Sequence, residues 1–514
     1  MSTLTICQNN QKKVIEIQPP VPMDLAIQQA GFSFPMPCGG HHTCGKCLVR
    51  STGALSPRSQ EEMHLYPDDE SCRLACCTTI LGDAQLELPD LGPADVLLGS
   101  EPIGTVSNEP AGFAVDIGTT TVAVYLYALQ SEKCLAQEGE LNRQSTFGAD
   151  VIARIDAAKQ QPHLLQRYIL EQLEDMFLRC LTRCNLSWDR VKRLVITGNT
   201  TMLHFLTGKD PSGIAVSPFV PESLFGYTMD AGALFPEFSG AELFLPPCIS
   251  AYVGADTVCA LLSSQLTTQY RHALLIDIGT NGEMALWSNG MLFCCSTAAG
   301  PAFEGAGLSS GMITAPGAIT KVFLDHHILR CEVMGNHPPD GLCGTGALST
   351  LALLLDQGII DETGRLLMDG HSFSDHLEDL QTDRIFYVVP GRVTLTQKDI
   401  RQLQLAKAAI SAGIATLLSH LSVTAEQLDA ILLCGGFGCR LDTQDAQRIG
   451  LLPSVSPERV LTAGNASGQG AVQLLLHPEE EAACISLAKH AKTLSLSAST
   501  RFMDEYIERM YFPA

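Results

Sequence analysis

The chain is poor in positive charge: 33 lysines and arginines stand against 55 aspartates and glutamates, for a net charge of −22. A duplex-binding surface needs a basic face to replace phosphate counterions, so a nucleic-acid partner is excluded. Long apolar runs are also missing. Although 46% of residues are hydrophobic, no stretch reaches the roughly eighteen apolar residues of a membrane-spanning helix. The opening MSTLTICQNNQKK lacks the basic-then-apolar layout of a secretory leader. A cytoplasmic chain without a membrane partner is therefore expected. The hydrophobic content is enough to bury substantial cores, so disorder is excluded, and 514 residues suggest about three to four domains.

Cysteine, by contrast, is plentiful. Nineteen cysteines in a long chain without a leader indicate a reducing compartment and metal chemistry rather than disulfide staples. The region up to about residue 90 reads as a small domain. Residues 4–7 and 13–17 read as strands around a Gln8-Asn9-Asn10 turn, residues 23–30 as a short helix with Gly31 past its end, and residues 85–88 as a closing strand. Between them, Cys38, Cys44 and Cys47 follow a C-x5-C-x2-C spacing in a Pro- and Gly-rich loop, and Arg73-Leu-Ala-Cys76 comes later. Four thiolates from one tight loop and one later element can ligate a two-iron, two-sulfur cluster. Gly39, Gly40 and Gly45 let the backbone wrap closely around the sulfurs. Cys76 is taken as the fourth ligand, with Cys77 second and Cys72 a further neighbour. Structural zinc, with His41 or His42 as substitutes, is the rival, but only one C-x-x-C is present where zinc usually has two. Gly40-x4-Gly45-Lys46 nearly spells a P-loop. Cys47 follows where a hydroxyl should hold magnesium, and no strand precedes it, so that match is discarded.

Residues 91–110 read as a linker, and beyond them the chain alternates strands and helices. An apolar run ends at Asp116-Ile-Gly-Thr119, a turn follows, and residues 122–127 are apolar again; the same order returns at Asp277-Ile-Gly-Thr280 and residues 284–287. A repeat of this size suggests two related halves facing one another rather than a solenoid. Each hairpin turn offers exposed N–H groups and Thr hydroxyls to phosphate oxygens. Asp116 and Asp277 at the strand ends can hold a magnesium-bound water or orient an attacking one. The phosphate-facing candidates are Gly118, Thr119 and Thr120 on the first hairpin, and Gly279, Thr280, Asn281 and Gly282 on the second. Gly435 and Gly436, after an apolar strand over residues 430–434, are placed to pass beneath an adenine. Glu283 has two readings of equal weight, a contact to a metal-bound water or a surface cap. Residues 164–184, 254–266 and 399–420 read as helices, and residues 477–514 as a helix–strand–helix appendage. Gly198-Asn199, residues 299–305, residues 341–346 and Gly464-Asn465 read singly as tight loops at strand ends. No G-x-G-x-x-G with a following acid is present, so a dinucleotide fingerprint is excluded. Cys343 reads as a buried structural thiol, and the pairs His41–His42 and His326–His327 as surface histidines.

The cysteine region resembles the two-iron ferredoxins, closer to the adrenodoxin and monooxygenase-reductase branches than to the plant type. The paired hairpins with Cys434-Gly-Gly-Phe-Gly438 resemble the acetate/sugar-kinase, heat-shock chaperone and actin superfamily. Together, with Phe147-Gly-Ala-Asp-Val-Ile-Ala-Arg154, Val253-Gly-Ala-Asp256, Ala298-Ala-Gly-Pro-Ala-Phe-Glu-Gly305 and Gln402-Leu-Gln-Leu-Ala-Lys-Ala-Ala409, the chain is similar over nearly its whole length to the reductive activators of corrinoid-dependent methyltransferases. The resemblance implies a multidomain α+β and α/β protein: a β-grasp 2Fe–2S ferredoxin at 1–90, a linker at 91–110, a middle domain at 111–267 and an actin-like, ribonuclease-H-like ATPase domain at 268–514. It implies ATP-dependent return of cobalt(II) in a corrinoid protein to cobalt(I), with ATP and Mg2+ in the cleft, an external electron donor and a homodimer. The chain departs from the family in a short linker and in Cys72, where Gly is common. A small-molecule kinase and an electron carrier with a regulatory nucleotide module are the alternatives; the first leaves the ferredoxin without a role, and the second requires ATP binding without turnover.

Overall fold

A computed structural model describes residues 1–8, 11–32, 34, 36, 40, 42, 45–67, 69–89, 109–161, 163–335, 337–369, 373–380 and 383–513. The expected linker, 91–110, lies outside the described residues except for its last two positions. So do Cys38, Cys44, Gly39, His41 and the Asn9-Asn10 turn. The described chain forms two units, one of residues 1–93 and 141–169, the other of 94–140 and 170–514.

In the first unit, period-two alternation builds the sheet. Along Ser2–Gln8 the side chains of Leu4 and Ile6 are buried and their neighbours face outward. This strand pairs antiparallel with Gln11–Ile17 and parallel with Thr79–Glu87. Thr79–Glu87 pairs in turn with Leu48–Leu55, which carries Cys72–Leu74 at the edge. The mixed sheet with the helix Met23–Gln29 is the arrangement expected of a β-grasp. The strands are longer than apolar runs alone predict, because their polar outward-facing residues also join the ladders. Lys46 runs on into a strand and not a helix, which agrees with discarding the P-loop match.

A buried ion pair steadies the segment that carries the later cysteines. Glu62, fully buried, accepts from Arg73 Nε at 2.9 Å, Leu74 N at 2.8 Å, Thr78 Oγ1 at 2.9 Å and Ser59 N at 2.7 Å. Burial alone would raise its carboxyl, yet these donors hold it below the usual carboxylate range.

The second unit contains two six-stranded sheets with matching cores. In one, Ala111–Ile117 pairs antiparallel with Thr121–Ala128, Cys134–Leu141 lies next to that, and Val191–Gly198 runs parallel to the first strand. In the other, His272–Ile278, Asn281–Ser288 and Met291–Ala298 form an antiparallel meander, and Ala430–Cys434 is the parallel neighbour. The repeat expected from Asp116 and Asp277 is thus a structural one. The central strands are buried on both faces, which is why they read as continuous apolar runs.

The helix Gln397–His420 begins two residues earlier than its apolar pattern suggests. Thr396 and Asp399 form a capping box, so polar residues open the first turn. The helix expected over 254–266 stops at Ser263; Gln265 takes φ 51° and a separate turn, Leu266–Gln269, follows. The terminal helix–strand–helix is Glu481–His490, Lys492–Thr493 and Thr500–Glu508. Two small three-stranded sheets begin at Ala318 and Leu377, and one outer strand of each is partly exposed. No helix among the described residues is long and apolar enough to cross a membrane.

Candidate functional site

The cysteine site belongs to the first unit. Cys47 is buried, and its Sγ lies 3.2 Å from Cys76 Sγ, which sits on the single turn Ala75–Cys77. Cys76 Sγ is in turn 3.7 Å from Cys77 Sγ, and Cys77 Sγ is 3.5 Å from His42 Nδ1. Cys72 is turned to a different partner, Asp69 Oδ2, at 3.2 Å. The Cys47 thiol, together with burial, pushes the Cys76 thiol far up. Thiolates packed this closely need positive charge between them, so the donor set fits an iron–sulfur centre. His42 is exposed, as expected, but it is not remote from cysteine: the fold closes a gap of 35 residues that sequence spacing does not reveal.

The second site is a cleft of about 230 Å³ in the second unit. In each half an aspartate is the strand's penultimate residue, followed by an isoleucine and a glycine turn. Gly118 N donates to Thr121 O at 2.9 Å in the first hairpin, and Gly279 N to Asn281 O at 2.9 Å in the second. Asp116, Gly118, Thr119 and Thr120 line the cleft from the first hairpin, and Asp277, Gly279, Thr280 and Asn281 from the second. Gly435 and Gly436 line it as well. Gly435, at φ 77°, leaves no room for a side chain, since a Cβ there would fall 2.3 Å from Asp277 Oδ1. Gly282 is placed elsewhere. It pairs with Ile278 inside the sheet, and a Cβ on it would meet Ile410 at 2.9 Å. Glu283 also lines the cleft, so its surface-cap reading is set aside. Cys343 is buried and contacts Ile319 O at 3.3 Å, as a structural thiol would.

Further residues that motif spacing does not single out also reach the cleft. Asn199 caps the helix Thr200–Thr207 and donates from Nδ2 to Thr119 Oγ1 at 3.0 Å. Asn465 caps Ala466–Leu476 and donates to Tyr125 Oη at 3.1 Å. Asp256 opens the helix Ala255–Ser263, and Glu304 ends the turn Pro301–Glu304. The available signal was Gly-Asn before an apolar run, a helix N-cap signature that the tight-loop reading passes over.

The electrostatics are one-sided. Asp116, Asp256, Asp277, Glu283 and Glu304 all face the cleft, and no basic side chain lines it among the described residues. Burial, followed by the carboxylates of Asp256 and Asp277, pushes Asp116 up to about 8. Burial, followed by Asp256 and Glu304, pushes Asp277 up to about 7. Burial raises Asp256, and burial with the neighbouring Asp256 and Asp277 carboxylates raises Glu283. Carboxylates gathered without a counter-charge form a donor set suited to a hard divalent cation.

Comparison with known proteins gives this geometry a family. Residues 6–81 match the 2Fe-2S iron-sulfur cluster binding domain, residues 111–269 the RACo middle region, and residues 271–514 the C-terminal domain of RACo, the ASKHA domain. Corrinoid activation enzyme RamQ of Eubacterium limosum is 34% identical over 426 residues, 78% of this chain and 70% of that protein. The chain belongs to the corrinoid activation enzymes. The [Co(II) methylated amine-specific corrinoid protein] reductase of Methanosarcina barkeri is 26% identical over 77% of this chain and 76% of its own length. A solved structure, a reductive activator for corrinoid, iron-sulfur protein, superposes with a TM-score of 0.70 at 27% identity, covering 100% of this chain and 98% of that one. Within this family residues 6–81 supply the 2Fe–2S domain and residues 271–514 the actin-like ASKHA domain.

Proposed function

We propose that this corrinoid activator returns cobalt(II) of a corrinoid protein to cobalt(I) and couples the one-electron transfer to ATP hydrolysis in the acidic cleft. The observation that carries the reading is the presence, on one chain, of a cysteine site built for a one-electron centre and a cleft built from two phosphate hairpins. Cys38, Cys44, Cys47 and Cys76 would hold the 2Fe–2S cluster, which when bound supplies a one-electron reductant. Asp116 and Asp277 would hold Mg2+ through its waters, neutralising phosphate charge in a cleft whose described lining has no lysine or arginine.

The chain's own groups then have distinct tasks. The turn N–H groups and the Thr119, Thr120 and Thr280 hydroxyls bind phosphate oxygens from two sides. Asn199 orients the Thr119 hydroxyl, and Gly435 keeps the chain clear of the Asp277 carboxylate. Asp277, at the second hairpin, is suited to orient an attacking water toward the phosphate. The intended partner is a corrinoid protein. Residues 1–90 serve as the electron domain, 91–110 as the linker, and 111–267 with 268–514 as the two walls of the nucleotide cleft. An external donor in the cytoplasm loads the electron, and the working species is a homodimer, which sedimentation of the intact chain checks.

Asp277→Asn tests the reading. The variant should keep its red-brown chromophore and accept one electron as the parent does. ATP-dependent appearance of cobalt(I) absorbance on a corrinoid protein should fall by about a hundredfold or more, as expected when one positioned polar group is lost. Cobalt reduction at the parental rate would refute ATP coupling at this cleft.

A further inference from the structure

One carboxylate joins the two phosphate hairpins directly. Thr120 Oγ1 donates to Glu304 Oε2 at 2.9 Å, and Thr280 Oγ1 donates to Glu304 Oε1 at 3.1 Å. Each oxygen of the carboxylate therefore takes a hydroxyl from a different half of the repeat. The mounting is firm. Glu304 closes the single turn Pro301–Glu304, set between Gly300 at φ 77° and Gly305 at φ 78°. Gly300 N donates to Thr280 O at 3.0 Å, tying the turn back to the second hairpin. A Cβ on Gly305 would fall 2.0 Å from Met312 O, so the far end of the turn is packed backbone against backbone. Beside Glu304, the Phe303 ring stacks on Phe437 with centroids 5.0 Å apart, which links this turn to the Gly435–Gly438 segment.

An ionised carboxylate is an anion that only accepts hydrogen bonds, and in this respect it resembles a phosphoryl group. Glu304 occupies two hydroxyls that the proposed function assigns to nucleotide phosphate, and the role inferred for it rests on that reading. We propose that Glu304 is an internal phosphate surrogate that holds the two hairpins together in the nucleotide-free chain and is displaced from Thr120 and Thr280 by the phosphate of the incoming nucleotide. Two physical terms act in the same direction. Phosphate must break two charge-assisted hydrogen bonds to gain the hydroxyls, and it must approach a like charge. Glu304 thus lowers nucleotide affinity. Its displacement also loosens the turn whose neighbouring ring stacks on Phe437, so both hairpins and the Gly-rich segment respond to a single event. A cation-ligand role for Glu304 would have the opposite sign, because removing a ligand weakens Mg2+·ATP binding.

Calorimetric titration of the intact, cluster-loaded chain with Mg2+·ATP and with adenosine decides between them. Glu304→Ala should bind Mg2+·ATP about tenfold or more tighter than the parent, the scale of one charge-assisted contact no longer competed for. Adenosine has no phosphate and should bind both proteins alike, which a general change in folding would not allow. Glu304→Gln keeps the shape, loses the charge and should fall between the two; it decides the matter alone if the alanine variant does not fold. Unchanged or weaker ATP binding, or an equal gain for adenosine, overturns the surrogate. A parent chain that binds no ATP overturns the nucleotide reading itself, and the surrogate falls with it.

Discussion

Alanine at Gly435 and at Gly436 should differ sharply in their effect on stability, although the two residues are adjacent. Gly435 has φ 77°, a left-handed conformation that costs a residue with a Cβ about 1–2 kcal/mol. A Cβ there would also sit 2.3 Å from Asp277 Oδ1, far inside contact distance, so the buried carboxylate has to move. Forcing extra volume into a packed site costs about 1–3 kcal/mol. The two terms give Gly435→Ala a total of about 2–5 kcal/mol, enough to lower the unfolding midpoint by several degrees. Gly436 lies outside the left-handed region, and a Cβ on it meets nothing within 4 Å. Gly436→Ala should therefore leave the nucleotide-free stability within about 0.5 kcal/mol of the parent. The assay is scanning calorimetry of both variants in chelator without nucleotide, followed by ATP-dependent cobalt(I) formation. Gly435→Ala should also lose about a hundredfold in activity, since Asp277 is displaced, while the chromophore is unaffected. Gly436→Ala should lose nucleotide affinity only, because its new methyl projects into the cleft. Parental stability in Gly435→Ala, or equal destabilisation by both, would refute the reasoning.

Serine at Cys76 should abolish the chromophore with about two irons per chain, whereas serine at Cys77 or Cys72 should leave it; iron analysis and visible absorbance report the outcome, and the reverse pattern between Cys76 and Cys77 would transfer the ligand role. Glu62→Gln leaves Arg73 charged and buried without its carboxylate, so the first unit should lose about 3–5 kcal/mol, read from denaturant titration followed at the cluster absorbance. Lys407 donates to Tyr511 O at 2.5 Å and lies 4.8 Å from the Phe512 ring centre; burial, then the Arg509 guanidinium, pushes it down to about 7. Its folded proton affinity is below the unfolded one, so the unfolded chain binds more protons between about pH 7 and 10, and stability rises with pH across that window. Lys407→Met should remove that slope, which is worth about 2 kcal/mol between pH 7 and 9, as chemical denaturation at the two pH values would show.

What could be read from the residues was whatever a short motif and a period determine. The two Asp-Ile-Gly-Thr turns announced both hairpins, because a strand–Asp–Gly turn has to be local in sequence. The buried strand Ala430–Cys434 was legible because a strand covered on both faces is apolar throughout. The placement of Asp256, Glu304 and Asn465 in the cleft was not legible. Each stands at a helix end or a turn where an acid or asparagine has an ordinary capping role, and only the tertiary fold brings it against the hairpins. Gly282 erred the other way: its motif neighbours face the cleft, but strand alternation turns it toward Ile410. The contact between His42 and Cys77 belongs to the same class, since residues far apart in sequence acquire a shared environment through long-range pairing alone.

The acidic cleft also bears on why an electron carrier should need a nucleotide at all. Related clusters lie at about −400 mV, and cobalt(I) is harder to reach, so the transfer needs an input. For one electron each 59 mV is a tenfold change in equilibrium, so an uphill gap of about 100 mV requires roughly a fiftyfold preference of the nucleotide-bound chain for one corrinoid state over the other. A cleft already filled by compatible charge could bind nucleotide without changing anything else. Here, binding has to reverse the charge balance around Asp116 and Asp277, both held with raised proton affinity, and has to take Thr120 and Thr280 from Glu304. A differential preference of that size can only come from states that differ. The groups whose partners nucleotide has to replace are therefore the ones through which its binding can favour one cobalt state.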